Sequence, residues 1–133
     1  MALENGFEKA LTKHEFTLFY QPIVSLTDGS IIGLEALIRW QKPVEGLVFP
    51  YEFISFSEKP GMIKRIDEWM MYKVIEQIIE WNSQISNFSG LTVSFVISNA
   101  QLEYPQFSYE LLAQLKKSGL DTSSVSFEIV CRH

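Results

Sequence analysis

Aromatic and β-branched residues crowd "FTLFYQPIV", Phe16 to Val24, as they do in strands. Pro22 near its end marks an edge or a strand end, because proline has no N–H to give a ladder. "LTDGS" is a turn centred on Asp28 and Gly29. It leads into "GLEALIRW", Gly33 to Trp40, so the two strands are expected to pair as an antiparallel hairpin. Successive strand side chains point to opposite faces. One face of the second strand carries Ile32, Leu34, Ala36, Ile38 and Trp40. The other carries Ile31, Gly33, Glu35, Leu37 and Arg39. Both charges share a face, with Leu37 between them.

The remaining periods are helical or alternate again. Leu3, Phe7, Ala10 and Leu11 predict a short amphipathic helix at the start. "QKPVEGLVFP" reads as a loop. Pro50 can open a short helix over Tyr51 to Ser57, and "KPG" at Lys59 to Gly61 breaks it. Ile63, Ile66, Met70, Val74, Ile78 and Trp81 recur at steps of three and four, predicting a long helix with one apolar face. "LTVSFVIS", Leu91 to Ser98, is a third strand. Pro105 introduces a helix carrying Phe107, Leu111, Leu112 and Leu115, which Gly119 stops. "SSVSFEIVC", Ser123 to Cys131, is a fourth strand. The order strand, helix, strand, helix, strand after the hairpin predicts right-handed crossovers and a parallel sheet. No repeat, low-complexity run or linker interrupts it, so residues 1–133 read as one domain.

The later strands repeat the theme of the second. In the third, Leu91, Val93, Phe95 and Ile97 alternate with Thr92, Ser94, Val96 and Ser98. In the fourth, Val125, Phe127, Ile129 and Cys131 alternate with Ser124, Ser126, Glu128 and Val130. If the polar faces line one interior, Glu35 and Glu128 converge there with Arg39 nearby. Strands two apart lie at most roughly 10 Å from each other, so a divalent cation could sit between two such carboxylates. The pattern alone leaves a second reading open, in which these charges belong to a solvated face.

Composition narrows the classes. The chain has 133 residues, enough for one core, and 47% of them are hydrophobic, which excludes disorder. A formal net charge of −5 argues against a broad nucleic-acid or anionic-membrane footprint. It leaves room for a small anion held by one arginine. Cys131 is the single cysteine, so no internal disulfide forms and a reducing compartment, the cytoplasm, is expected. "MALENGFEKALTKHEF" has acids early and no apolar core of a signal peptide. No apolar run approaches the ~18 residues of a membrane span.

At "YQPIV…GLEALIRW" the sequence resembles the EAL domain family of bacterial cyclic di-GMP phosphodiesterases. "GLVFPYEFISFSEKPGMI" is similar to the family's Gly-x-Val-x-Pro-x-x-Phe-Ile segment, and "DEWMMYKVIEQIIEW" to the helix after it. "VSFVISNAQLEYPQF" is similar to the strand and loop that normally begin Val-Ser-Val-Asn-Leu-Ser, and "FEIV" to Glu-Ile-Thr-Glu. The ordered set runs from about Phe7 to Glu128. The resemblance implies an α/β fold, the N-terminal half of an EAL-type (β/α)8 TIM barrel, with four strands of which the first is antiparallel. It implies that Gln21, Leu37, Arg39 and Pro50 contact cyclic di-GMP, with Arg39 at a phosphate. It implies Glu35 and Glu128 as ligands of Mg2+ or Mn2+, which in the family activate a water against one phosphodiester bond.

The chain departs from that pattern in three ways. Val96 stands where the family has its metal-binding Asn and offers no oxygen. Cys131 and Val130 stand for the second Glu and the Thr of Glu-Ile-Thr-Glu. A (β/α)8 barrel takes roughly 250 residues, about twice this length. We therefore expect no catalytic residue, no tightly bound metal and no phosphodiesterase activity. The expected role is a protein-interaction or weak cyclic di-GMP-binding module, with a protein partner or a second copy joined through an exposed sheet edge. Two alternatives stand beside it: a phosphodiesterase whose barrel a second chain completes, and a truncated product without function. His14, His133 and the three tryptophans are expected to be surface, terminal and packing residues respectively.

Overall fold

The computed structural model describes residues 9–48, 60–85, 88–97, 101 and 103–129. Five strands form one mixed sheet: β1 (Phe16–Val24), β2 (Ile31–Lys42), β3 (Gly46–Val48), β4 (Thr92–Ile97) and β5 (Val125–Ile129). Its order is β1-β2-β4-β5, with β3 also paired to β2. The hairpin β1–β2 is antiparallel, and β2–β4 and β4–β5 are parallel. Two helices provide the crossovers, α1 (Pro60–Gln84) and α2 (Pro105–Ser118). Residues 9–12 are helical. The predicted helix over 51–57, Pro50, and the end of the fourth strand at Val130 and Cys131 lie outside the described residues.

The β1–β2 turn forms as its residues dictate. Asp28 Oδ1 accepts hydrogen bonds from the Ser30 backbone N–H at 3.0 Å and the Ser30 hydroxyl at 2.7 Å. These bonds hold its carboxyl below the usual carboxylate range. Across the other side of β2 the chain comes unusually close. A Cβ on Gly33 would lie 2.8 Å from the Thr92 carbonyl oxygen, so this position of β2 admits only hydrogen.

The core lies between the sheet and the two helices. Ala36, Ile38 and Trp40 of β2 and Val93, Phe95 and Ile97 of β4 are buried on the helix side. Ile66, Met70, Val74 and Ile78 of α1 meet them, as the spacing predicts, and Met71 and Ile75 widen the buried stripe. From α2 come Phe107, Leu111 and Leu115. Each such side chain contributes about 1.5–3 kcal/mol on burial. Trp40 packs on Phe16 with ring centroids 5.3 Å apart, and its Nε1 donates to Glu15 Oε1 at 3.2 Å. Tyr20 stands edge-on to Trp81 at 4.8 Å. Burial, and then the Glu76 carboxylate, pushes its phenol up to about 12. Gly119 closes α2 in the left-handed conformation at φ 74°, its N–H bonded to the carbonyls of Leu115 and Lys116.

Two expectations need correction. Gly46 to Val48, read as loop, is a short strand that doubles back on Trp40 to Lys42. Pro60 and Gly61, read as a break, begin α1, where a proline lacking its N–H loses nothing. Phe127 of β5 is half-buried, edge-on to Phe95 at 5.0 Å and 5.5 Å from Phe107 of the preceding helix. Ile129, beyond their reach, is 48% exposed.

Candidate functional site

The register decides which polar residues meet. Gln21 of β1 pairs with Glu35 of β2, Phe19 with Leu37, and Thr17 with Arg39. Glu35 pairs with Ser94 of β4, and Ser94 with Ser126 of β5. One row of side chains, Gln21, Glu35, Ser94 and Ser126, therefore crosses β1, β2, β4 and β5 on the face away from the helices. Two residues further along, the same face carries Phe19, Leu37, Val96 and Glu128, and Val96 pairs directly with Glu128. The sequence-predicted residues Gln21, Glu35, Leu37, Arg39 and Glu128 thus share one surface. Pro50, the sixth, lies outside the described residues.

Glu35, Leu37, Arg39 and Glu128 are half-buried, and Gln21 is exposed. Burial raises the Glu35 carboxyl above its ordinary value, and the Glu128 carboxylate adds to the shift. The two carboxylates lie diagonally on one face, separated by β4. Arg39 turns its guanidinium back along its own strand. Nη1 donates to the Ile38 carbonyl oxygen at 2.7 Å, and Cζ lies 5.9 Å from the centroid of the Phe19 ring. Sequence reasoning passed over Phe19. The signal was its place in the alternation, one large aromatic residue between Thr17 and Gln21 on the polar face, where it remains 46% exposed.

This surface could hold an anionic ligand through Arg39, whose planar fork suits a phosphate. A divalent cation is another matter. Mg2+ demands a near-octahedral set of oxygens. Glu35 and Glu128 supply two carboxylates, and Val96, facing Glu128, supplies none. Among the described residues no group of three or more His, Cys, Asp or Glu side chains comes together. Among the described residues the donor set does not make up that octahedral sphere.

A cleft of about 320 Å³ opens in the helix layer, lined by Lys64, Glu68, Tyr72 and Glu110 among others. Lys64 and Glu110 are engaged by neutral neighbours. The Lys64 ammonium sits 3.6 Å above the Tyr104 ring. Tyr72 donates to Glu110 Oε1 at 2.7 Å, and Gln114 does so at 3.0 Å. None of the helices described is long and apolar enough to cross a membrane.

The sequence profile of the EAL domain matches residues 4–133. An uncharacterised protein of Synechocystis is 34% identical over 127 residues, which are 96% of this chain and 18% of that one. The cyclic di-GMP phosphodiesterase NbdA of Pseudomonas aeruginosa is 37% identical over 129 residues, 97% of this chain and 16% of NbdA. Among solved structures, the PaMucR phosphodiesterase in complex with c-di-GMP superposes with a TM-score of 0.86 at 28% identity, covering 96% of this chain and 51% of that one. The FimX EAL domain of Pseudomonas aeruginosa, bound to c-di-GMP, superposes at 0.81 and 26% identity, covering 97% and 50%. The chain spans about half of those two structures and less than a fifth of the two relatives.

Proposed function

The chain belongs to the EAL domain family, and on that premise we propose that it serves cyclic di-GMP signalling as a non-catalytic module that binds the dinucleotide weakly. The observation that carries this reading is the common face of Gln21, Glu35, Leu37, Arg39 and Glu128. Arg39 takes a phosphate of the ligand, Gln21 and Leu37 border it, and Pro50 completes the contact set. Val96 opposite Glu128 argues against metal-assisted hydrolysis, because its side chain offers no oxygen to a cation held beside that carboxylate. Glu35 and Glu128 are then vestiges of a metal site.

Calorimetric titration of the purified chain with cyclic di-GMP, with and without Mg2+, tests the proposal. Weak binding that Mg2+ leaves unchanged, and that Arg39→Ala abolishes, is the expected result. Steady conversion to the linear dinucleotide by the metal-loaded chain overturns it. So does undiminished binding by the Arg39→Ala variant.

A second reading has its own support. Among the described residues no strand pairs with the outer edge of β5, and an open edge is a template for another strand. A protein partner, or a second copy, could occupy it, and a partner that completed the barrel would supply the missing donors. Hydrolysis that appears only when a separately made C-terminal EAL half is added would favour this reading.

A further inference from the structure

We propose that Phe19 is a positioning residue for Arg39, holding its guanidinium at the ligand-binding face. The inference rests on the proposed binding of a phosphate by Arg39 and adds the device that aims it. An arginine side chain on an open strand face samples many rotamers, and ordering it on binding weakens affinity. Here two contacts remove part of that freedom beforehand. The Ile38 carbonyl oxygen accepts from Nη1 at 2.7 Å. The Phe19 ring lies under Cζ at 5.9 Å, within the reach of a cation–π contact.

The register explains how the pair forms. Phe19 faces Leu37 directly, and Arg39 is the next residue of β2 on that face. The diagonal neighbour across an antiparallel pair lies within reach of an aromatic ring and a long side chain. Phe19 packs away from the core that Leu18 and Tyr20 help to cover. A ring left 46% exposed on a face of Gln, Glu, Ser and Arg contributes little to burial. Its contact with the guanidinium is the role the geometry gives it.

Two substitutions separate the ring's face from its bulk. Phe19→Leu keeps an apolar side chain and loses the π-face, whereas Phe19→Tyr keeps both. The first should weaken cyclic di-GMP binding by the full chain about two- to fivefold, the size of an exposed cation–π contact. The second should restore it. Without ligand, the Arg39 Nε–H resonance should shift and sharpen differently in Phe19→Leu, and return toward its original position in Phe19→Tyr. Equal binding by the Leu and Phe proteins overturns the inference, as does an Arg39 resonance indifferent to the ring. Absence of cyclic di-GMP binding by the unaltered chain overturns the proposed function instead, and the Arg39 resonance then decides the role of Phe19 alone.

Discussion

Val96 faces Glu128 directly across the parallel ladder of β4 and β5, on the surface that also holds Glu35. Glu35 is level with Ser94, two residues back along β4. Val96 therefore sets an apolar side chain beside Glu128, whose carboxylate adds to the rise of the Glu35 carboxyl.

Val96→Asn sets an oxygen beside Glu128. The variant should bind Mn2+ about tenfold more tightly than the unaltered chain, since even indirect ligand partners are worth 10–100-fold in metal affinity. Electron paramagnetic resonance of free Mn2+ during titration reads the change. Identical curves for the two proteins would show that residue 96 does not reach a cation held beside Glu128.

Glu35 carries a pH signature. Its folded-state pKa is raised, first by burial and then by Glu128, so the folded chain holds the proton more tightly than the unfolded one. Between the unfolded and the folded pKa the native state binds more protons, and stability falls as pH rises through that window. The stabilisation is complete below the unfolded pKa and gone above the folded one. Glu35→Gln should therefore raise the urea midpoint at pH 7 relative to the unaltered chain and lose that advantage toward pH 4. An advantage that grew on acidification would contradict the assigned direction.

Gly33 bears on the joint between the hairpin and the parallel part of the sheet. Gly33→Ala would push a methyl group to within 2.8 Å of the Thr92 carbonyl oxygen, and the backbone cannot swing aside as a side chain could. The expected loss is about 1–3 kcal/mol, the usual penalty of overpacking, measurable as a lower urea midpoint. Protection from hydrogen exchange should fall first in the β2–β4 ladder.

Much of this was legible in the alternation of the strands. The sorting of Glu35, Leu37 and Arg39 to one face and of Ala36, Ile38 and Trp40 to the other follows from parity alone, and the register bears it out. The same holds for Ser94 and Val96, and for Ser126 and Glu128. Which residue of β2 lies level with which of β4 was not legible, because a parallel pair separated by a long helix carries no local signal of register. That is why the convergence of Glu35 and Glu128 needed coordinates. β3 escaped notice because three residues have too few positions to show a period. Pro60 was read as a stop when it is a start, a confusion inherent in proline, which suits a first helical turn as well as it ends an earlier element.

The parity of β2 has a consequence for descent. Because its two sides hold separate sets of residues, mutation can rewrite the reactive side without disturbing the side that folds the chain. The two sides of one strand are thereby open to different pressures, one set by packing and the other by whatever meets the polar surface.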